Sequence, residues 1–116
     1  MQIKPINEKF SISEQITISD IKVLADMGVK TLICNRPEGE EPNQLTNQQI
    51  IHEASCCGID FIHIPSPGRD IPQDALALFI KTFNESDEKI HAYCRTGTRS
   101  SIFWDLMQAQ IVNNTV

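Results

Sequence analysis

Cys94 stands at the end of a short apolar stretch, Ile90-His91-Ala92-Tyr93, and is followed by Arg95-Thr96-Gly97-Thr98-Arg99-Ser100-Ser101. A glycine-containing turn that opens into a helix directs its backbone N–H groups inward, and such a nest binds anions. The same field favours a thiolate over a thiol, so a cysteine placed there is equipped as a nucleophile. Arg99 adds a planar fork that grips two oxygens of one oxyanion, a task lysine cannot reproduce. Gly97 lets the backbone approach closely, and the hydroxyls of Thr96, Thr98 and Ser100, with Arg95, supply further contacts. The expected chemistry is that of a cysteine-dependent enzyme acting on an oxyanion. The bland alternative, a buried cysteine before an ordinary helix, leaves two arginines in one turn unexplained.

The elements that must hold this loop are legible from periodicity and punctuation. Phe10-Ser11-Ile12 and Gln15-Ile16-Thr17-Ile18 alternate as a short strand pair would, and Ser19 is placed to cap a helix carrying Ile21, Leu24 and Met27 and ending at Gly28. Strands are expected at residues 29–34, 59–64 and 89–93, each apolar and rich in β-branched residues. Between them lie a helix capped by Thr46, with Ile50, Ile51, Ala54 and Cys57 inward, and a helix opened by Pro72, with Ala75, Leu76, Phe79, Ile80 and Phe83 inward. A last helix runs from Ser100 to about Val112, with Ile102, Phe103, Leu106 and Gln110 at helical spacing. Alternating strands and helices imply a three-layer α/β domain, a mainly parallel sheet of four or five strands flanked by helices. Ligands of such sheets sit beyond the C-terminal strand ends, which gathers the loops starting at Asn35, Pro65 and Cys94 on one edge.

The bulk composition fits one soluble domain over residues 1–116, with 41% hydrophobic and 22% charged residues. A net charge of −5 argues against nucleic acid or an anionic membrane as partner, so an anionic ligand needs a local positive site. No stretch is apolar enough to span a bilayer and no signal-peptide core opens the chain, so a cytoplasmic protein with its four cysteines free is expected. No cofactor is called for, and no metal: His52 and Cys56 are four apart, but no second ligand pair follows. His63 and His91 fall within strands, where hydrogen bonding usually satisfies an imidazole, and Trp104 is expected in the core or at an interface.

Asn35-Arg36-Pro37, Glu38-Gly39-Glu40 and Tyr93-Cys94-Arg95-Thr96-Gly97-Thr98-Arg99-Ser100, in this order, resemble the bacterial family called beta-lactamase-hydrolase-like protein, phosphatase-like domain. The likeness covers the chain from about Phe10 to Ala109. It implies a fold similar to dual-specificity and tyrosine phosphatases, with Cys94 as nucleophile and Arg99 as phosphate-binding arginine. Two features depart from those enzymes. Their loop holds five residues between cysteine and arginine, where this one holds four, and Tyr93 precedes the nucleophile where they have histidine. A four-residue loop with arginine directly after the cysteine looks like single-domain rhodaneses, whose cysteine carries a persulfide.

Two reactions follow. In a phosphatase, Cys94 attacks phosphorus and an acid protonates the leaving oxygen. Asp70, 24 residues upstream on the loop after the preceding strand, is the candidate acid, unless it is a solvated or helix-capping aspartate. In a sulfurtransferase, Cys94 attacks the outer sulfur of thiosulfate or a persulfide and needs no acid. A non-catalytic module binding phosphorylated ligands is the third reading. The partner is accordingly a small phosphorylated or sulfur-containing anion, or a phosphoprotein. Arg36 and Glu38 could line the same pocket and Arg69 could add charge to it, while Cys34 could resolve an oxidised Cys94 as a disulfide.

Overall fold

Five strands and four helices alternate along the chain in the computed structural model, which describes residues 1–114; Thr115 and Val116, the end of the expected domain, lie outside the described residues. The elements are β1 (Lys4–Pro5), β2 (Phe10–Ser13), α1 (Ile18–Asp26), β3 (Val29–Cys34), α2 (Asn47–Cys56), β4 (Asp60–His63), α3 (Gln73–Glu85), β5 (Lys89–Tyr93) and α4 (Thr98–Asn114). They form one sheet in the order β1-β2-β5-β3-β4, parallel throughout except for the β1–β2 pair. The three-layer, mainly parallel architecture expected from the sequence is the one observed.

Alternation along the central strands divides the apolar side chains between two faces. Ile33, Ile90 and Ala92 join Phe10, Ile12, Phe79, Phe103 and Met107 under α3 and α4. Leu32, Cys34 and Tyr93 join Ile21, Leu24, Ile50 and Ala54 under α1 and α2. Burying a large apolar side chain contributes about 1.5–3 kcal/mol, so these two clusters carry most of the favourable term. Trp104 lies stacked on Phe10, with ring centroids 4.8 Å apart, and fastens β2 to α4.

Several local expectations shift. Residues 15–18 are not a strand, because Thr17 and Asp20 form a capping box in which each side chain takes the other's backbone N–H, and the helix therefore begins at Ile18. The antiparallel neighbour of β2 is instead β1. Met27 is exposed and caps α1 rather than joining its core face. The last helix opens at Thr98, and its buried stripe runs through Phe103 and Met107, leaving Leu106 at 37% exposure and Gln110 at the surface. No helix among the described residues is long and apolar enough to cross a membrane.

His91 is fully buried on β5, between Ser11 (Nδ1 to Oγ, 2.7 Å) and Ser13 (Nε2 to Oγ, 2.8 Å). Ser13 Oγ donates its hydrogen to the Glu14 carbonyl, so it accepts from His91 Nε2–H, and the Ser11 hydroxyl meets Nδ1. A neutral ring whose Nδ1 accepts from Ser11 satisfies both contacts without a buried charge. Burial lowers the His91 pKa from 6.5 to about 4. The unfolded chain then binds the extra proton first, so stability is complete above pH 6.5 and falls as pH drops from 6.5 towards about 4. The expected loss is about 3 kcal/mol, measurable by urea unfolding against pH, and His91→Gln should flatten the slope across that window.

Candidate active site

The parallel register aligns Ser13, Tyr93, Cys34 and His63 at one end of β2, β5, β3 and β4. The segments leaving that edge therefore meet. Asn35 stitches three of them together: its N–H donates to the Tyr93 carbonyl (2.8 Å), its Nδ2 to the Ile64 carbonyl (2.8 Å), and its own carbonyl accepts from the Ser66 N–H (3.2 Å). Its Oδ1 accepts from Ser100 Oγ at 2.8 Å, which ties the start of α4 to the same hub. Asn35 is fully buried, so truncation strands polar partners with no access to water. Asn35→Ala is expected to cost about 2 kcal/mol or more in urea unfolding, with a parallel loss of anion binding as the three segments separate.

Cys94 is 0% exposed, and the Gly97 N–H donates to its Sγ at 3.0 Å. Gly97 adopts φ +91°, a left-handed conformation that costs a side-chain-bearing residue strain, and it packs against β2, where an added Cβ would lie 3.5 Å from the Ser13 carbonyl. The Gln15 N–H fixes the Arg95 carbonyl on the outer side of the loop (3.2 Å). Among the described residues no acceptor takes the amides of Arg95, Thr96, Arg99 or Ser100. Such amides at the start of a 17-residue helix suit an anion. Thr96 Oγ1 donates to Thr98 Oγ1 at 3.0 Å beside them.

Arg99 is held by a carboxylate that sequence reasoning passed over. Its Nη1 donates to Glu40 Oε2 (2.7 Å) and to the Ser66 carbonyl (2.9 Å), and its Nη2 to Glu40 Oε1 (2.9 Å). A guanidinium has five N–H donors, so three are used here and Nε–H with one Nη2–H remain, side by side on one edge. That edge is a free fork. The direct bond from Glu40 is the largest cause raising Arg99 above the usual arginine value, and the nearby Cys94 sulfur adds to it. Glu40 is lowered to about 2, chiefly by the Arg99 hydrogen bond and then by Arg36, whose Nε lies 2.8 Å away.

Arg36 itself is buried at 3% exposure, with Nη1 on Gln15 Oε1 (2.9 Å) and Nη2 3.3 Å from Glu41 Oε1. It does not line the cleft; it braces the two glutamates that do. Glu38 faces away, its Oε1 taking the Asn47 N–H at the start of α2. The cleft holds about 400 Å³ and is lined by Glu40, Glu41, Pro67, Gly68, Arg69, Arg95, Thr96, Thr98 and Arg99. Asp70 is exposed on the loop that contributes Gly68 and Arg69, without lining the cleft or bonding to a described residue. Cys34 Sγ donates to the Arg36 carbonyl at 3.3 Å, and burial pushes its thiol up. His63 Nε2 meets the same carbonyl at 2.9 Å.

The Cys94 loop with Arg99, Arg36 with Glu40 after β3, Ser66 after β4 and Gln15 after β2 thus meet at one edge of the sheet. Glu40, Glu41, Gln15 and Ser66 are the residues to which the sequence assigned no part in the site. The spacing of Arg36 and Glu40, four apart in one loop, was the signal available for Glu40; Ser66 acts through its backbone carbonyl and left none.

Residues 2–111 match the sequence model of the family described as Beta-lactamase hydrolase-like protein, phosphatase-like domain. The Beta-lactamase hydrolase-like protein of Agrobacterium fabrum is 34% identical over 109 residues, covering 94% of this chain and 25% of that protein. The chain therefore spans about a quarter of the length of the curated relatives it matches. Among solved structures, a putative phosphatase from Neisseria meningitidis is 37% identical and superposes with a TM-score of 0.82 over 90% of this chain and 75% of its own. The core catalytic domain of the PP-IP phosphatase SIW14 from S. cerevisiae, at 18% identity, shares the fold with a TM-score of 0.64 over 82% of this chain and 56% of its own. The resemblance drawn from residues 35–40 and 93–100 thus extends over the chain in sequence and in backbone, and the chain belongs to the family of phosphatase-like domains of beta-lactamase hydrolase-like proteins.

Proposed function

We propose that the chain is a cysteine-dependent phosphatase in which Cys94 attacks a phosphoryl group held by the loop amides and Arg99. The observation that carries this reading is the free Nε–Nη2 edge of Arg99, left beside the Cys94 sulfur once Glu40 and Ser66 have taken the other three donors. In the first step the Sγ–P bond forms, the bond from phosphorus to the leaving oxygen breaks, and that oxygen takes a proton. Water then attacks phosphorus, releases inorganic phosphate and returns the thiolate. Arg99 and the amides meet charge on the equatorial oxygens as it spreads. Asp70 serves as the acid if its loop, which already brings Arg69 to the cleft, turns inward on the bound ligand.

The four-residue loop between Cys94 and Arg99 favours a second reading, rhodanese-like sulfur transfer. There the Cys94 thiolate bonds to the outer sulfur of thiosulfate, the S–S bond breaks with sulfite leaving as a stable anion, and a thiol or cyanide later removes the sulfur from the Cys94 persulfide. No acid is required, which accords with a cleft lined by no aspartate. Wild type, Cys94→Ser and Asp70→Asn, each assayed on an aryl phosphate and on thiosulfate with cyanide, separate the two. Phosphate release lost in Cys94→Ser and reduced tenfold or more in Asp70→Asn is the expected result. Thiocyanate formation indifferent to Asp70→Asn would replace it with sulfur transfer, and anion binding without either turnover would leave a binding module.

A further inference from the structure

We infer that the cleft carries a second oxyanion subsite, formed by Arg69 and Arg95, and that its ligand is a small polar molecule bearing two anionic groups. The inference rests on the reading that Arg99 and the loop amides take the first group. The chain has four arginines and six lysines. Arg69, Arg95 and Arg99 all line this one cleft, Arg36 lies behind its glutamates, and none of the lysines lines it. In a chain of net charge −5 that is a strong local concentration, and it consists of the side chain whose fork matches oxyanions.

One anion does not use it all. The free edge of Arg99 and the amides at the start of α4 already satisfy a single phosphoryl or sulfonyl group. Glu40 is committed to Arg99 and Arg36. Glu41, itself 51% exposed, is shared between Arg36 and Arg95, at 3.3 and 3.2 Å. Arg69 makes no ion pair among the described residues. Four arginines against two glutamates and the Cys94 thiolate of the proposed reaction leave the cleft net positive, and Arg69 is the arginine with no carboxylate of its own among the described residues. The Glu41 carboxylate also marks a place where Arg95 accepts an oxyanion, and a solvent-exposed glutamate is readily displaced by a ligand group.

The rest of the lining says what the ligand is not. Pro67 is the one apolar side chain in it and no aromatic ring faces the space, so an aryl group has nothing to stack on. A volume of about 400 Å³ suits a small molecule rather than a peptide segment. Hydroxyls from Thr96 and Thr98 complete a hydrophilic wall.

Titration calorimetry of the full chain at physiological salt tests this with ligands that are not turned over: methylphosphonate, methylenediphosphonate, phosphonoacetate and phenylphosphonate. Methylenediphosphonate is expected to bind at least tenfold more tightly than methylphosphonate, and that ratio to fall below threefold in Arg69→Ala and in Arg95→Ala. Both side chains are exposed, so both variants fold. Lys30→Ala, an exposed cation at the opposite end of the sheet, should leave the ratio intact, and an equal fall there would reduce the effect to bulk charge and overturn the subsite. Phosphonoacetate matching the diphosphonate means that the second group is a carboxylate as readily as a phosphate; phosphonoacetate matching methylphosphonate restricts it to phosphate. A ratio near one in the wild type, a ratio unchanged in both arginine variants, or phenylphosphonate as the tightest ligand would each sink the proposal. The readout is independent of turnover: a high ratio in a protein that releases no phosphate removes the phosphatase reaction and keeps the subsite, while phosphate release with a ratio near one does the reverse.

Discussion

Cys94→Ser is expected to lower turnover about ten-thousandfold or more, on an aryl phosphate or on thiosulfate alike, while leaving anion binding within a few-fold of the wild type. Both halves of the expectation come from the loop. The Gly97 N–H and the neighbouring Arg99 face the Cys94 sulfur, and sulfur in that place is a far stronger nucleophile than the oxygen of serine. The amides and the free Arg99 edge, the proposed holders of the oxyanion, are untouched by the exchange of one atom. The signature is therefore a collapse of kcat with an unchanged Kd for phosphate, read by steady-state assay and by calorimetry on the same preparation. A second measurement guards against a misfolded variant. In the wild type, phosphate should protect Cys94 from iodoacetamide and leave the exposed Cys56 unprotected. Turnover surviving in Cys94→Ser would move the chemistry to another group.

The parts of the structure legible in the sequence are those fixed by short-range pattern. Val29–Cys34 and Lys89–Tyr93 are apolar because both faces of a central parallel strand are covered, and Thr46 with Gln49 announces the start of α2 within one turn. The general rule for parallel sheets then places the loops after β3, β4 and β5 together, which is where Asn35, Ser66 and Cys94 meet. What escaped depends on partners remote in sequence. β1 is two residues long, and its pairing with Ile12 and Ser11 has no periodic signal of its own. Thr17 was hidden by an alternation that suits a strand, although its bond to Asp20 decides for a helix. Glu40 reaches Arg99 across 59 positions and Ser100 reaches Asn35 across 65, so neither pairing is visible until the fold closes. Asp70 illustrates the opposite limit: its place in the chain suggests an acid, yet its part in catalysis depends on the loop's conformation, which Ser66 Oγ shapes by donating to the Gly68 carbonyl (2.7 Å).

Arg99→Lys is expected to lower kcat/KM about a hundredfold to a thousandfold, the usual cost of removing one preorganised donor from developing charge. A lysine carries the same charge but not the geometry: an ammonium that satisfies Glu40 has no second edge to offer, and one that turns to the substrate abandons Glu40 and the Ser66 carbonyl. Glu40→Gln should cost less, about tenfold, because the amide oxygen still accepts one N–H while the charge that fixes the guanidinium plane is gone. If Glu40 acts through Arg99, the two losses do not multiply: the double variant should turn over no more slowly than Arg99→Lys alone. Stability gives an independent reading. Since the Glu40 carboxyl is lowered in the fold to about 2 from 4.5, its contribution is present above pH 4.5 and is lost as pH falls towards 2. Glu40→Gln should remove that acid-dependent segment of the unfolding curve even in the Arg99→Lys background, because Arg36 stays in contact with the same side chain. A further tenfold loss of turnover in the double variant would mean that Glu40 reaches the substrate or the reacting atoms itself, and the free edge of Arg99 would then no longer account for anion binding.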